Sequence, residues 1–149
     1  MTATSSGRSP VTTTPDAAAK TAVLQAIEVI KDAFPDLPDR TCSDGQGGLW
    51  VELTGVPLGP PYVQDDTFLV FLLPFTLPGS DIYPMFVRPD LTRLDGAPLG
   101  EGFAVTELSW PAEQVPRPVV QVSRRTRGSF VLQTASQKIS KVLDWVMAR

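Results

Sequence analysis

A chain of 149 residues with 42% hydrophobic and 19% charged residues is the size of one domain, long enough to bury roughly two-thirds of the surface its unfolded form exposes. Its formal net charge of -3 gives no global attraction to nucleic acid or anionic membranes, and the absence of histidine excludes a Ser-His-Asp or Cys-His pair within the chain. The single cysteine, Cys42, excludes an internal disulfide and fits a reducing compartment, and with no histidine it cannot build a structural zinc site.

Residues 1 to about 14 are rich in Ser, Thr and Gly, and their burial would not offset the entropy of ordering them. They are expected to form a disordered tail ahead of one domain over 15–149. From Asp16 the pattern changes: Val23, Ile27, Ile30 and Phe34 recur on one helical face, Asp16 is placed to cap the start, and Pro35 ends the helix. The segment Asp36 to Gly48 reads as turns. In Leu49 to Thr54, Leu49, Val51 and Leu53 alternate with Trp50, Glu52 and Thr54, the period of a half-buried strand, and Gly55 to Pro61 reads as a loop. Asp65 and Asp66 form the turn into the next strand; as neighbours they point to opposite faces and do not converge on a ligand.

Thr67 to Leu73 is apolar on both faces, as a central strand requires. Ile82 to Val87 is the next strand, and Pro84, which has no N–H, places it at an edge or a bulge. Arg88 to Gly102, with Pro89, Pro98 and three glycines, reads as a long surface excursion, and residues 88–118 as a whole carry little regular patterning. Val119 to Val122 reads as a short strand or an extended lead into Ser123-Arg124-Arg125. Thr134-Ala135-Ser136-Gln137 is a capping box ahead of Ile139, Val142, Leu143 and Val146, which defines a closing helix. The fold class expected is α+β: an N-terminal helix, an antiparallel meander with a proline-rich edge strand and a long loop, and a C-terminal helix.

Leu77-Pro78 followed by Tyr83-Pro84-Met85-Phe86-Val87, within this order of elements, resembles the ubiquitin-conjugating (E2) fold over about residues 16 to 149, most of all its divergent prokaryotic members and cysteine-lacking variants. Arg88-Pro89-Asp90 stands where that family carries His-Pro-Asn. The family's Asn donates a hydrogen bond toward the oxyanion of thioester attack, whereas an ionised Asp90 only accepts. The family's cysteine follows that tripeptide, and this chain has none there. The resemblance therefore implies a non-catalytic binding or scaffold protein in a bacterial ubiquitin-like conjugation or deconjugation system. Its partner would be a ubiquitin-like protein, an activating enzyme or a peptidase component. The alternatives are a thioester-transfer enzyme using Cys42 and a structural subunit of a larger assembly.

Cys42 has only Arg40 as a nearby cation, opposed by Asp39 and Asp44, a poor setting for a thiolate. The basic run Arg117, Arg124, Arg125 and Arg127 suits an acidic partner face or a solvated turn pairing with Asp90 or Asp95. No aromatic platform is interleaved with it for nucleic acid. Trp110, beside Pro111, is read as an interface anchor or as a plug under the long loop, and Trp145 as packing. The interface candidates are Tyr83, Met85, Trp110, Arg124 and Arg125. Asp90, Asp95 and Glu101 could converge across the loop, but three spaced acids do not by themselves define a magnesium site, and the glycines at 96, 100 and 102 lack the ending of a phosphate loop. No metal, cofactor, membrane or nucleic-acid partner is expected. With no bilayer-length apolar run and no signal-peptide core, the expected location is cytoplasmic.

Overall fold

The computed structural model describes residues 14–77, 79–111, 113–124 and 134–148, with side chains from residue 21 onward. The expected disordered tail over residues 1–13, Pro78 of the Leu77-Pro78 motif, and Arg125 and Arg127 lie outside the described residues. The order is α1 (Thr14–Ala33), β1 (Asp39–Ser43), β2 (Leu49–Pro57), β3 (Asp66–Leu73), β4 (Met85–Val87), β5 (Phe103–Leu108), β6 (Arg117–Val122) and α2 (Ala135–Met147). It is an α+β arrangement of two helices on an open, six-stranded antiparallel sheet in the order β1-β2-β3-β4-β6-β5.

The 3.6-residue period of α1 brings Val23, Ile27 and Ile30 into the core. The helix begins at Thr14, so Asp16 lies inside its first turn rather than at its cap. In α2, Thr134 caps the start: its hydroxyl accepts from the Gln137 N–H and the Gln137 side chain accepts from the Thr134 N–H, while Ile139, Val142, Leu143 and Val146 are buried. Both helices pack on one face of the sheet, against Val51, Leu53, Leu69, Phe71, Met85, Val87, Val120 and Val122. Tyr62 locks the end of α2 from the loop before β3, its hydroxyl donating to the Val146 carbonyl at 2.6 Å.

Four further expectations change. The turn-rich segment 36–48 contains β1, whose residues are mostly exposed and so lack an apolar alternation. Strand β2 continues past Thr54 to Pro57 through a register shift between Leu53 and Val56, where Gly55 takes φ +73°. The 88–118 region contains β5 and the start of β6, not one excursion. The proline-rich strand is not an edge: β4 is interior, between β3 and β6. Pro84 precedes the ladder, joined to Tyr83 by a cis peptide, and pairing starts at Met85, so its missing N–H costs no ladder bond.

Candidate functional site

Alternation along the strands sends Arg40, Cys42, Trp50, Glu52, Phe68, Val70, Phe86, Arg117 and Val119 to the face away from the helices, where Val70, Phe86, Leu108, Trp110 and Val119 form a second small core. The connection between β5 and β6 crosses this face and inserts Trp110, 1% exposed, beside Trp50 at 6.5 Å between ring centroids. Glu52 is buried at 7% exposure because both its oxygens are occupied: Arg40 Nε donates to Oε1 at 2.5 Å and Arg117 Nη2 to Oε2 at 3.1 Å. Arg40 also donates to Glu113 Oε2 at 3.1 Å and lies 4.6 Å over the Trp110 ring, tying the crossing segment down. The hydrogen bond to Glu52 is the chief cause that raises the Arg40 pKa. Arg117 lies 4.6 Å over the Phe68 ring, and its Nε is buried with no partner among the described residues.

Beside this network an open groove of about 600 Å³ is lined by Glu52, Thr54, Asp66, Phe68, Arg88 and Asp90. Its rim is the tripeptide that leaves β4. Arg88 forks onto Asp90, with Nε to Oδ1 at 2.5 Å and Nη2 to Oδ2 at 2.9 Å, and reaches the Asp66 carbonyl at 2.9 Å. The Arg88 N–H donates to Thr67 Oγ1 at 3.0 Å. These contacts hold the Asp90 carboxyl below the usual carboxylate range, the Arg88 hydrogen bond first among the causes. Asp90 is thus an ionised acceptor with both oxygens engaged. The loop beyond is fixed to residues 61–64: Gln64 Nε2 donates to the Asp90 carbonyl at 2.6 Å, Val63 N to Thr92 O at 2.8 Å and Leu94 N to Pro61 O at 2.8 Å. Further along, Arg93 grips Asp95 at 3.0 and 2.9 Å, and this contact, with the Ala97 N–H, lowers the Asp95 pKa to about 2.

The sequence candidates do not gather into one patch. Cys42 is half-buried on the edge strand β1 opposite Trp50, its Sγ 3.6 Å from the Ser43 carbonyl. Strands β2 and β3 stand between it and β4. At about 4.8 Å per strand and 3.4 Å per residue, it lies about 14 Å across and about 14 Å along the sheet from residue 88. Met85 and Trp110 are each 1% exposed and on opposite faces of the sheet, so neither presents a surface to a partner, and Trp110 is the plug rather than the anchor. Tyr83 is half-buried ahead of β4. Arg124 is half-buried 5.5 Å over Trp145, and its carbonyl accepts from Lys138 Nζ at 2.7 Å. Arg125 lies outside the described residues.

Asp90 and Asp95 pair with their own neighbours rather than with the basic run, and among the described residues no group of three acids, cysteines or histidines gathers as a metal site. No helix among the described residues is long and apolar enough to cross a membrane. The residues missed from sequence are Arg40, Glu52, Glu113 and Arg88. The signal available was Glu52 at the centre of an apolar alternation, on the same face as Trp50. No family model matches the chain, and neither a curated protein nor a solved structure matches it.

Proposed function

We propose that this chain is a binding or scaffold protein on a ubiquitin-conjugating-type sheet, with no thioester chemistry of its own. Its partner is a component of a bacterial ubiquitin-like conjugation or deconjugation system: the ubiquitin-like protein, its activating enzyme or a peptidase. The fold part of this reading rests on the leading helix, the antiparallel run β1-β2-β3-β4 and Tyr83-Pro84 ahead of the Arg88-Pro89-Asp90 turn. One observation carries the functional part. The sole thiol lies on the edge strand, with two strands between it and the strand that leads into the turn where transfer would occur, and that turn offers a carboxylate saturated by Arg88 instead of a hydrogen-bond donor. A nucleophile and an oxyanion donor must lie within about 3 Å of a shared reacting atom, a condition this placement does not meet.

The chain is to be incubated with a bacterial ubiquitin-like protein and its activating enzyme, with ATP, and resolved by non-reducing electrophoresis. The expected result is no thiol-sensitive adduct, and partner binding in titration calorimetry that Cys42→Ala leaves unchanged. A thiol-sensitive adduct that disappears in Cys42→Ala would establish transfer chemistry and overturn the proposal. Purification of a native complex without any such component would instead favour a subunit of another assembly.

A further inference from the structure

The sheet ends at β5, and the direction of its outer backbone groups follows from the pairing with β6. The Ser123 N–H donates to the Gly102 carbonyl at 2.7 Å, which makes Gly102 opposite Ser123 a hydrogen-bonded pair. In an antiparallel ladder such pairs recur at every second residue, so Ala104, Thr106 and Leu108 direct their N–H and C=O groups to Gln121, Val119 and Arg117. Pro118 agrees with this phase: it stands opposite Glu107, where no inward N–H is required. Phe103, Val105 and Glu107 therefore aim their N–H and C=O groups away from β6, and among the described residues no backbone group pairs with them.

Sheet edges are ordinarily blunted by lysine, proline, a bulge or a covering segment. Strand β5, Phe-Ala-Val-Thr-Glu-Leu, has an unbroken register, a single charge at Glu107 and no lysine or proline, and its central Val105 is 78% exposed. We propose that β5 pairs antiparallel with β5 of a second copy of this chain, with Val105 on the two-fold axis. Complementarity of the strand with itself selects this occupant. With Val105 opposite its counterpart, Phe103 faces the other copy's Glu107, and every outward N–H and C=O on both strands acquires a partner. The two exposed valines cover each other, Ala104 faces Thr106, and no like charges stand opposite one another, the arrangement cross-strand pairing favours. A strand pair buries less than a standard-size interface, so the dimer is a concentration-dependent one. The inference is independent of the functional reading above.

Sedimentation equilibrium on the full chain from about 1 µM to 1 mM tests it, the range in which an interface of this class dissociates. The wild type is expected to pass from monomer to dimer. Val105→Lys and Val105→Glu, each confirmed as folded by near-UV circular dichroism, are each expected to weaken self-association by about tenfold or more, through like charges at the axis. Their equimolar mixture is expected to regain dimer as a heterodimer, a result that only a two-fold contact through residue 105 gives. Should a charged variant fail to fold, Val105→Pro serves instead, because it removes an outward N–H and no β6 ladder bond. A wild type that stays monomeric throughout, a dimer insensitive to these substitutions, or a mixture without rescue would each overturn the proposal.

Discussion

Trp110 fills the second core beneath the Arg40 guanidinium, so its role is structural before it is anything else. Trp110→Ala is expected to cost about 3–5 kcal/mol of unfolding free energy in urea titration, the range for truncating a buried large aromatic. A variant of unchanged stability would show that the crossing segment is held by its charges alone. Asp95 carries a pH prediction. Its folded pKa of about 2 lies below the ordinary 3.8, so the folded state binds the proton less readily than the unfolded one. The contribution of the Arg93–Asp95 fork is therefore complete above about pH 4 and is lost as pH falls toward 2. Carbon-detected NMR titration of the Asp95 carboxyl is expected to show this low midpoint, and Arg93→Gln to move it back toward the ordinary value. Because the pair is exposed and screened, global stability is expected to change little. Such forks leave only a local trace, an arginine two residues before an aspartate at 88 and 90 and at 93 and 95, whereas the charge pattern pointed to the distant basic run as the partner of these aspartates. The Arg40–Glu52–Arg117 network leaves no such trace, because its members are 12 and 65 positions apart and meet only through strand register.

At the scale of elements, α2 is secured at both ends. Near its start, Lys138 is 2% exposed, with Nζ 3.1 Å from Asp81 Oδ1 and 2.7 Å from the Arg124 carbonyl, so one ammonium joins the helix to the segments flanking β4 and β6. Lys138→Ala is expected to destabilise by about 3–5 kcal/mol in guanidinium titration, because it removes the ammonium that compensates the Asp81 carboxylate in a mostly buried site. Replacing both by apolar residues, Lys138→Met with Asp81→Leu, is expected to recover much of that loss; if it does not, the remaining contacts of Asp81 hold the segment. The two helices, β2 and β3 were legible because burial of one or both faces imprints a period or an unbroken apolar run. Strands β1 and β5 were not: Asp39–Ser43 keeps most side chains in water and Phe103–Leu108 half of them, so neither carries a clear apolar alternation. Pro84 misled for a different reason, since it precedes the strand whose edge it was taken to mark.

For the whole molecule, composition and element order yielded the α+β class, whereas the position of β6 inside β5, which makes β4 interior, is a tertiary pairing that no local pattern records. The candidate site shares this property, since the tripeptide after β4 acquires its groove only when β2 and β3 lie beside it. Strand β4 itself has a mechanical consequence. It spans Met85–Val87 and meets β3 through only Val70 opposite Phe86 and Phe71 opposite Met85, whereas β2 and β3 run together from Leu49 opposite Leu73 to Pro57 opposite Asp66. Two broad wings are thus stitched along one narrow crease, and amide exchange at Phe86 is expected to outpace that at Leu53 and Leu69. A ligand clasping both wings would stiffen the crease, and one that levered them apart would split the molecule there first.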